Sequence, residues 1–177
     1  MDLHVYLGHG AAGNAASMQR YVEGLARRGI TASGVDLPKG TAEAAVPTWR
    51  RSVPNDPGSV VGGQSYGGRV ASLAAAEPDA EYVALVCYSY PLHPPGRPEN
   101  TEARTSHWPA IRCPVLLLSG EADPFARIAL LRDRVNLLQD VELVTYRGLG
   151  HTLKPVFEDA MDRTAAFLER VQKADAR

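Results

Sequence analysis

The amino-acid sequence predicts a three-layer α/β/α sandwich built on a mostly parallel, doubly wound sheet of about six strands. Short apolar segments that suit buried strands alternate with longer segments that have helical periodicity. Most of the apolar segments are continuous, which is typical of parallel strands covered on both faces. The chain has 177 residues, 45% of them hydrophobic, so we expect one domain, residues 1–177, with a sizeable core.

The first half of the chain contains three strand–helix units. The first strand leads into a glycine-rich loop, and the helix after it has an apolar stripe at helical spacing. The third strand (SVVG) runs directly into an alanine-rich helix. Strands are expected at 2–7, 31–36 and 59–64, and helices at 14–28, 42–51 and 66–77.

The second half continues the same alternation. The fifth strand (PVLLLS) is a continuous apolar run, and the last two helices each carry an apolar stripe that we expect to face the core. Such alternation favours parallel strands joined by helical crossovers. Strands are expected at 82–87, 114–119 and 141–146, and helices at 126–138 and 155–172.

Residues 63–67 (GQSYG) are the most informative part of the sequence. They form a G-x-S-x-G pattern between the third strand and its helix, which is the setting of a nucleophile elbow. There the serine lies on a strained turn, and the flanking glycines keep Cβ atoms out of the strand–helix crossing. Ser65 is then expected to stand exposed beside a helix N-terminus. The alternative is an ordinary strand-to-helix turn.

A nucleophilic serine needs a base, and that base needs an orienting carboxylate. In an elbow fold, these partners follow the serine in the order acid, then histidine. Asp123 follows the fifth strand, and His151 lies in a glycine-punctuated loop after the sixth, so both are expected at the sheet edge that holds Ser65. We therefore predict a catalytic triad of Ser65, Asp123 and His151. Glu121 is the alternative acid, while Asp123 is otherwise a turn residue and His151 a capping or surface residue.

Acyl transfer also requires an oxyanion hole of preorganised N–H donors. We predict the backbone amides of Tyr66, the residue after the nucleophile, and of Ala11, in the loop after the first strand. Ala12 is the alternative to Ala11, and His9 is expected to hold this loop by hydrogen bonding. The loop lacks both glycine-rich phosphate-binding patterns, which disfavours a nucleotide site.

Two further residues are predicted to bind substrate. Arg69 lies one helical turn after Ser65 and can anchor a substrate carboxylate, or it can form a structural ion pair. His93 lies in a segment, residues 88–105, that holds four prolines and is too long for a minimal connection. We expect this segment to be an ordered loop over the active-site edge, with His93 in the pocket wall. The alternatives are a surface excursion and a surface histidine.

The composition excludes several function classes. The formal charge of −1 gives no broad attraction to nucleic acid or to acidic membranes. No apolar run approaches the roughly 20 residues needed to span a bilayer, and the first residues show no signal-like pattern, so a cytoplasmic location is expected. The predicted chemistry needs no cofactor and no metal.

Four segments of the sequence carry a further signal, namely HGAAG at 9–13, GQSYG at 63–67, GEAD at 120–123 and GH at 150–151. Together they resemble the α/β-hydrolase superfamily. The closer likeness, carried by residues 89–93 (SYPLH) and Arg69, is to its small dienelactone-hydrolase-like branch. Within that branch, the chain is most similar to the family of compact hydrolase-like proteins that includes a testis-expressed protein and a chromatin-complex subunit. The resemblance implies a minimal hydrolase fold with no cap domain and without the first two strands of larger members.

We therefore predict a serine hydrolase that cleaves small carboxylic esters or thioesters through an acyl-enzyme intermediate. Two alternatives stay open, namely a non-catalytic hydrolase-fold binding protein and an acyltransferase that uses the same triad. The expected partner is a small-molecule ester or thioester, with no nucleic acid and no membrane. An exposed sheet edge can also pair with a second copy, which would give a homodimer.

Overall fold

Six strands form one sheet at the centre of the structure, which is a computed structural model that describes residues 3–175. Asp2, within the first predicted strand, lies outside the described residues. The strands are β1 (His4–Gly8), β2 (Thr31–Val35), β3 (Ser59–Gln64), β4 (Ala84–Tyr88), β5 (Val115–Gly120) and β6 (Val141–Tyr146). All neighbouring strands are parallel, in the order β2-β1-β3-β4-β5-β6. The predicted mostly parallel sheet of about six strands is therefore confirmed.

The strand order reverses next to β1, and this reversal positions the site. From β1 the chain crosses to β2 on one side and then returns to β3 on the other, so that Gly8 pairs with both Val35 and Gly63. In open parallel sheets, ligands bind beyond the carboxyl ends of the strands at such a switch point. The loops that leave β1 and β3 here contain Ala11 and Ser65, respectively.

Helices cover both faces of the sheet. Short 3-10 turns precede or extend four of them, and three of these four are the helices predicted at 14–28, 126–138 and 155–172, which are therefore composite elements. Within residues 3–175, no helix is both long and apolar enough to cross a membrane. The α-helices are α1 (Gln19–Ala26), α2 (Ala42–Ser52), α3 (Tyr66–Ala75), α4 (Thr101–Thr105), α5 (Ile128–Arg134) and α6 (Phe157–Asp175).

Two hydrophobic clusters flank the sheet, one on each face. Because successive strand residues point to opposite faces, Val60 and Val61 enter different clusters, as do Leu116 and Leu117. Side chains of α1 and α6 complete the cluster that contains Val60, and side chains of α2, α3 and α5 complete the cluster that contains Val61. The predicted three-layer α/β/α arrangement is thus confirmed.

The segment 88–105 is more regular than the sequence predicted. It begins with the buried side chains of Tyr90 and Leu92, and it ends in the five-residue helix α4. A 3-10 turn, Pro98–Asn100, leads into this helix. The helix is too short to show apolar periodicity, and a proline precedes it closely, so the pattern predicted a loop instead.

Candidate active site

Ser65 lies on a strained turn between β3 and α3. Its backbone has φ 48° and ψ −114°, which is rare for a residue other than glycine. The turn is tight because α3 crosses β1 at close range. A Cβ atom on Gly67 would lie 2.1 Å from the Gly8 carbonyl oxygen, and one on Gly63 would lie 2.3 Å from the same atom. The two glycines of the G-x-S-x-G pattern are therefore required by the crossing.

Three side chains from separate loops form one hydrogen-bonded row. His151 Nε2 is 2.9 Å from Ser65 Oγ, and His151 Nδ1 is 2.7 Å from Asp123 Oδ2. An ionised carboxylate only accepts hydrogen bonds, so this geometry assigns the imidazole proton to Nδ1. Nε2 is then left with a lone pair toward the serine hydroxyl. In this tautomer the imidazole can accept the proton of Ser65.

Asp123 is held rigidly by the turn that follows β5. Its side chain is 0% exposed, and its second oxygen, Oδ1, accepts a hydrogen bond from the Phe125 amide at 2.8 Å. Glu121, the alternative acid, instead accepts hydrogen bonds from Arg132 and Thr145, each at 2.8 Å. The structure therefore brings Asp123, and not Glu121, to the histidine.

The loops that hold Asp123 and His151 are bound to each other. The Ala122 amide donates to the Leu149 carbonyl at 2.9 Å, which links the two loops close to both side chains. The Phe125 ring also packs on the imidazole of His151, with 4.3 Å between ring centroids. These contacts fix the orientation of the imidazole before any substrate binds.

Two backbone amides stand free beside Ser65. Tyr66 is the first residue of α3, so its N–H has no partner within the helix, and neither it nor the Ala11 N–H donates to any acceptor in residues 3–175. His9 anchors the loop that contains Ala11, as the sequence predicted. Its Nε2 accepts from the Leu37 amide at 3.0 Å, and its Nδ1 donates to the Gly10 carbonyl at 2.7 Å.

A cavity of about 310 Å³ opens over the serine. Ala11 lines it and Ala12 does not, which favours the first of these two predicted donors. A larger depression of about 640 Å³ lies at the opposite edge of the sheet, near Arg28, and no predicted site residue lines it. The residues around the smaller cavity include Ala11, Ser65, Tyr66, Arg69, Arg104 and Phe125.

Comparison with protein families agrees with this geometry. A family model described as an alpha/beta hydrolase domain matches residues 39–176. This chain belongs to the α/β-hydrolase family. The match includes the elbow and both loops that hold Asp123 and His151, whereas the loop after β1 precedes it. A comparison with curated proteins found no significant match.

Solved structures share this α/β-hydrolase fold at low sequence identity. The monoacylglycerol lipase of Paleococcus ferrophilus has a TM-score of 0.78 at 16% identity, over 95% of this chain and 93% of that chain. A propionate-bound esterase, Est2 of Thermogutta terrifontis, has a TM-score of 0.77 at 15% identity, over 96% and 83% of the two chains. These likenesses establish the fold. The closer resemblance to the compact family with a testis-expressed member stays a prediction.

The two predicted substrate-binding residues of this α/β-hydrolase lie in different surroundings. Arg69 lines the cavity and forms an ion pair with Glu43. His93 is 4% exposed and does not line the cavity. Its Nε2 accepts from the Arg127 amide at 3.1 Å, and its Nδ1 donates to the Pro94 carbonyl at 2.8 Å. This corrects the prediction that His93 lies in the pocket wall, because backbone groups occupy both ring nitrogens.

Sequence reasoning missed several residues that line the cavity, and two of them, Phe125 and Arg104, have large side chains. Phe125 follows Asp123 by two positions, and an aromatic residue just beyond a predicted catalytic acid is a signal that could have been used. Arg104 lies on α4, the helix that the sequence did not predict. Its place in the wall depends on how the segment 88–105 folds back over the sheet edge, and no local pattern indicates that.

Proposed function

We propose that this protein is a serine hydrolase that cleaves small carboxylic esters or thioesters. The observation that supports this most is the hydrogen-bonded row of Ser65, His151 and Asp123 beneath a cavity with two free amides. Each group has the hydrogen-bond neighbours that acyl transfer requires, and the order of the three along the chain is that of the α/β-hydrolase elbow.

In the first half of the reaction, Ser65 Oγ attacks the carbonyl carbon of the ester while His151 Nε2 accepts the hydroxyl proton. The carbonyl oxygen becomes an oxyanion that accepts hydrogen bonds from the amides of Tyr66 and Ala11. His151 then returns its proton to the departing alcohol or thiol as the carbon–oxygen or carbon–sulfur bond breaks. Asp123 stabilises the positive imidazolium between these steps.

In the second half, water replaces the alcohol or thiol. His151 takes a proton from the water, the resulting hydroxide equivalent attacks the acyl-enzyme, and the same amides hold the second oxyanion. Collapse of this intermediate breaks the bond to Ser65 and returns the proton to Oγ. The acid product leaves, and the enzyme regains its starting state.

The names of the structural neighbours support an ester substrate. They include a monoacylglycerol lipase, an esterase with bound propionate, and the same esterase phosphonylated by sarin. The cavity of about 310 Å³ favours short acyl groups over long ones.

The test is hydrolysis of p-nitrophenyl acetate and butyrate by the wild-type protein and by Ser65→Ala. We expect kcat/KM to fall by at least about 1,000-fold in Ser65→Ala, because the nucleophile is lost while binding groups remain. Ser106→Ala is the matched control, since this exposed serine lies outside the cavity. Equal rates in wild type and Ser65→Ala would contradict the proposal.

A further inference from the structure

We propose that the ester substrate bears a second, anionic group, a carboxylate or a phosphate-like group, which binds to Arg69 and Arg104. The inference rests on the proposed function, because it concerns the same cavity over Ser65. It names a class of substrate, acidic esters, that the row of Ser65, His151 and Asp123 does not by itself specify.

Arg69 is held in the cavity wall close to the nucleophile. Its backbone amide donates to the Ser65 carbonyl at 3.1 Å, so it lies in the first turn of α3, about 6 Å along the helix axis from Ser65. The side chain is 14% exposed, and its Nη2 pairs with Glu43. Its Nε is buried and has no acceptor among the described residues. A buried guanidinium donor without a partner is costly, so the Arg69 side chain carries a positive charge that its own hydrogen bonds do not fully satisfy.

Arg104 approaches the same cavity from the segment 88–105. One of its N–H groups, on Nη1, donates to the Pro91 carbonyl at 3.0 Å, which holds the side chain in place. Within residues 3–175 it pairs with no carboxylate. Burial lowers the pKa of Arg104 from its ordinary value, and the nearby charge of Arg69 lowers it further. The cavity therefore contains a cation that is partly desolvated and has no counter-ion of its own.

The two guanidinium groups of the cavity wall have unequal partners. Arg69 pairs with Glu43, whose side chain is 55% exposed and so is well solvated, whereas Arg104 pairs with no carboxylate within residues 3–175. Arg104 therefore presents an unpaired positive charge at a site walled partly by alanine, proline and phenylalanine, where water screens charge less than at an open surface. Planar guanidinium groups bind carboxylate and phosphate oxygens in pairs, which suits an anion bound next to the scissile ester.

Because Arg69 lies about one helical turn from Ser65, the probes carry a short linker between the ester and the anion. We therefore choose monomethyl glutarate as the acidic ester and methyl pentanoate, which has the same chain length, as its neutral match. The methyl ester of 4-phosphonobutanoic acid provides a phosphate-like arm that separates the two anion chemistries. Alkyl leaving groups limit attack by the substrate's own carboxylate. Methanol release then reports turnover by the enzyme.

Of the two acidic esters, we expect the one with the higher kcat/KM to exceed methyl pentanoate in kcat/KM by about tenfold or more. This ratio should fall toward one in Arg104→Gln and in Arg69→Gln. It should persist in Arg127→Gln, which removes an exposed arginine outside the cavity. A ratio near one in the wild type, or a ratio that survives in both Arg69→Gln and Arg104→Gln, overturns the inference. Urea unfolding identifies any variant that does not fold, and the other arginine variant then decides.

A binding measurement separates this inference from the proposed function. The Ser65→Ala protein is titrated calorimetrically with each acidic ester and with methyl pentanoate. Binding of an acidic ester at least tenfold tighter than that of the neutral one supports the anion site even if the wild type turns over no ester, in which case only the proposed function fails. Equal binding of the acidic and neutral esters, with p-nitrophenyl butyrate still hydrolysed by the wild type, overturns the anion site alone.

Discussion

Substitution of Asp123 by asparagine tests the role of the buried carboxylate with little change in shape. Oδ1 of Asp123 accepts from the Phe125 amide, so the asparagine oxygen must stay at that position to keep the bond. The new NH₂ group then faces His151 Nδ1, where Oδ2 now lies at 2.7 Å. An NH₂ group only donates, so Nδ1 must become an acceptor and the ring proton must move to Nε2. His151 can then no longer take a proton from Ser65.

We expect kcat for p-nitrophenyl butyrate to fall by about 10⁴-fold in Asp123→Asn, equivalent to about 5 kcal/mol of barrier, as in a serine protease with the same change. KM should change little, because Asp123 does not line the cavity. Glu121→Gln is the matched control, since that carboxylate binds Arg132 and Thr145 instead. A loss of less than about tenfold in Asp123→Asn, in a protein that unfolds at the wild-type urea concentration, would refute this reasoning.

Three further predictions concern stability. Gly67→Ala should lower the free energy of unfolding by about 3 kcal/mol or more, because its Cβ would lie 2.1 Å from Gly8. The matched control is Gly150→Ala, whose Cβ would meet nothing within 4 Å, and urea unfolding compares the two variants. His93→Ala should lower the free energy of unfolding by about 2–3 kcal/mol, because it leaves two backbone groups without a hydrogen-bond partner. The KM for p-nitrophenyl butyrate should not change, and a raised KM would indicate that His93 contacts the substrate after all. Burial, aided by Arg69, lowers the pKa of His107 to about 4, so between pH 6.5 and 4 the unfolded chain binds a proton that the folded chain does not. Stability should therefore fall by up to about 3 kcal/mol as the pH drops through this range, and urea unfolding at pH 7 and 4.5 should show a smaller loss in His107→Gln.

The parts of the site that follow parallel strands could be predicted from sequence. The carboxyl ends of such strands meet at one edge of the sheet, so the positions of Ser65, Asp123 and His151 after their strands were enough to expect proximity. The glycines at positions 63 and 67 could be predicted for the same reason, since a tight strand–helix crossing leaves no room for Cβ atoms. The alternation of apolar strands and helices along the chain was enough for both expectations, although the order of the strands within the sheet was not predicted.

The remaining parts depend on how side chains pack after the sheet has formed. His93 and Arg104 both belong to the segment 88–105, and no pattern in that segment indicates that one lies in the core and the other in the cavity wall. The buried ring of His93 binds the carbonyl of the adjacent Pro94 and the amide of Arg127 from a separate loop, and Arg104 reaches the cavity from α4. Contacts between segments that are distant in the chain leave no periodic signal.

The most direct test of the central claim is the reaction of the protein with a fluorophosphonate, followed by intact-mass and peptide mass spectrometry. An activated serine should give a single adduct on Ser65 that is absent in Ser65→Ala. The rate of labelling should fall by at least about 100-fold in His151→Ala, because the hydroxyl then has no base. An adduct on another residue, or equal labelling rates in the wild type and in His151→Ala, would contradict the claim that His151 activates Ser65.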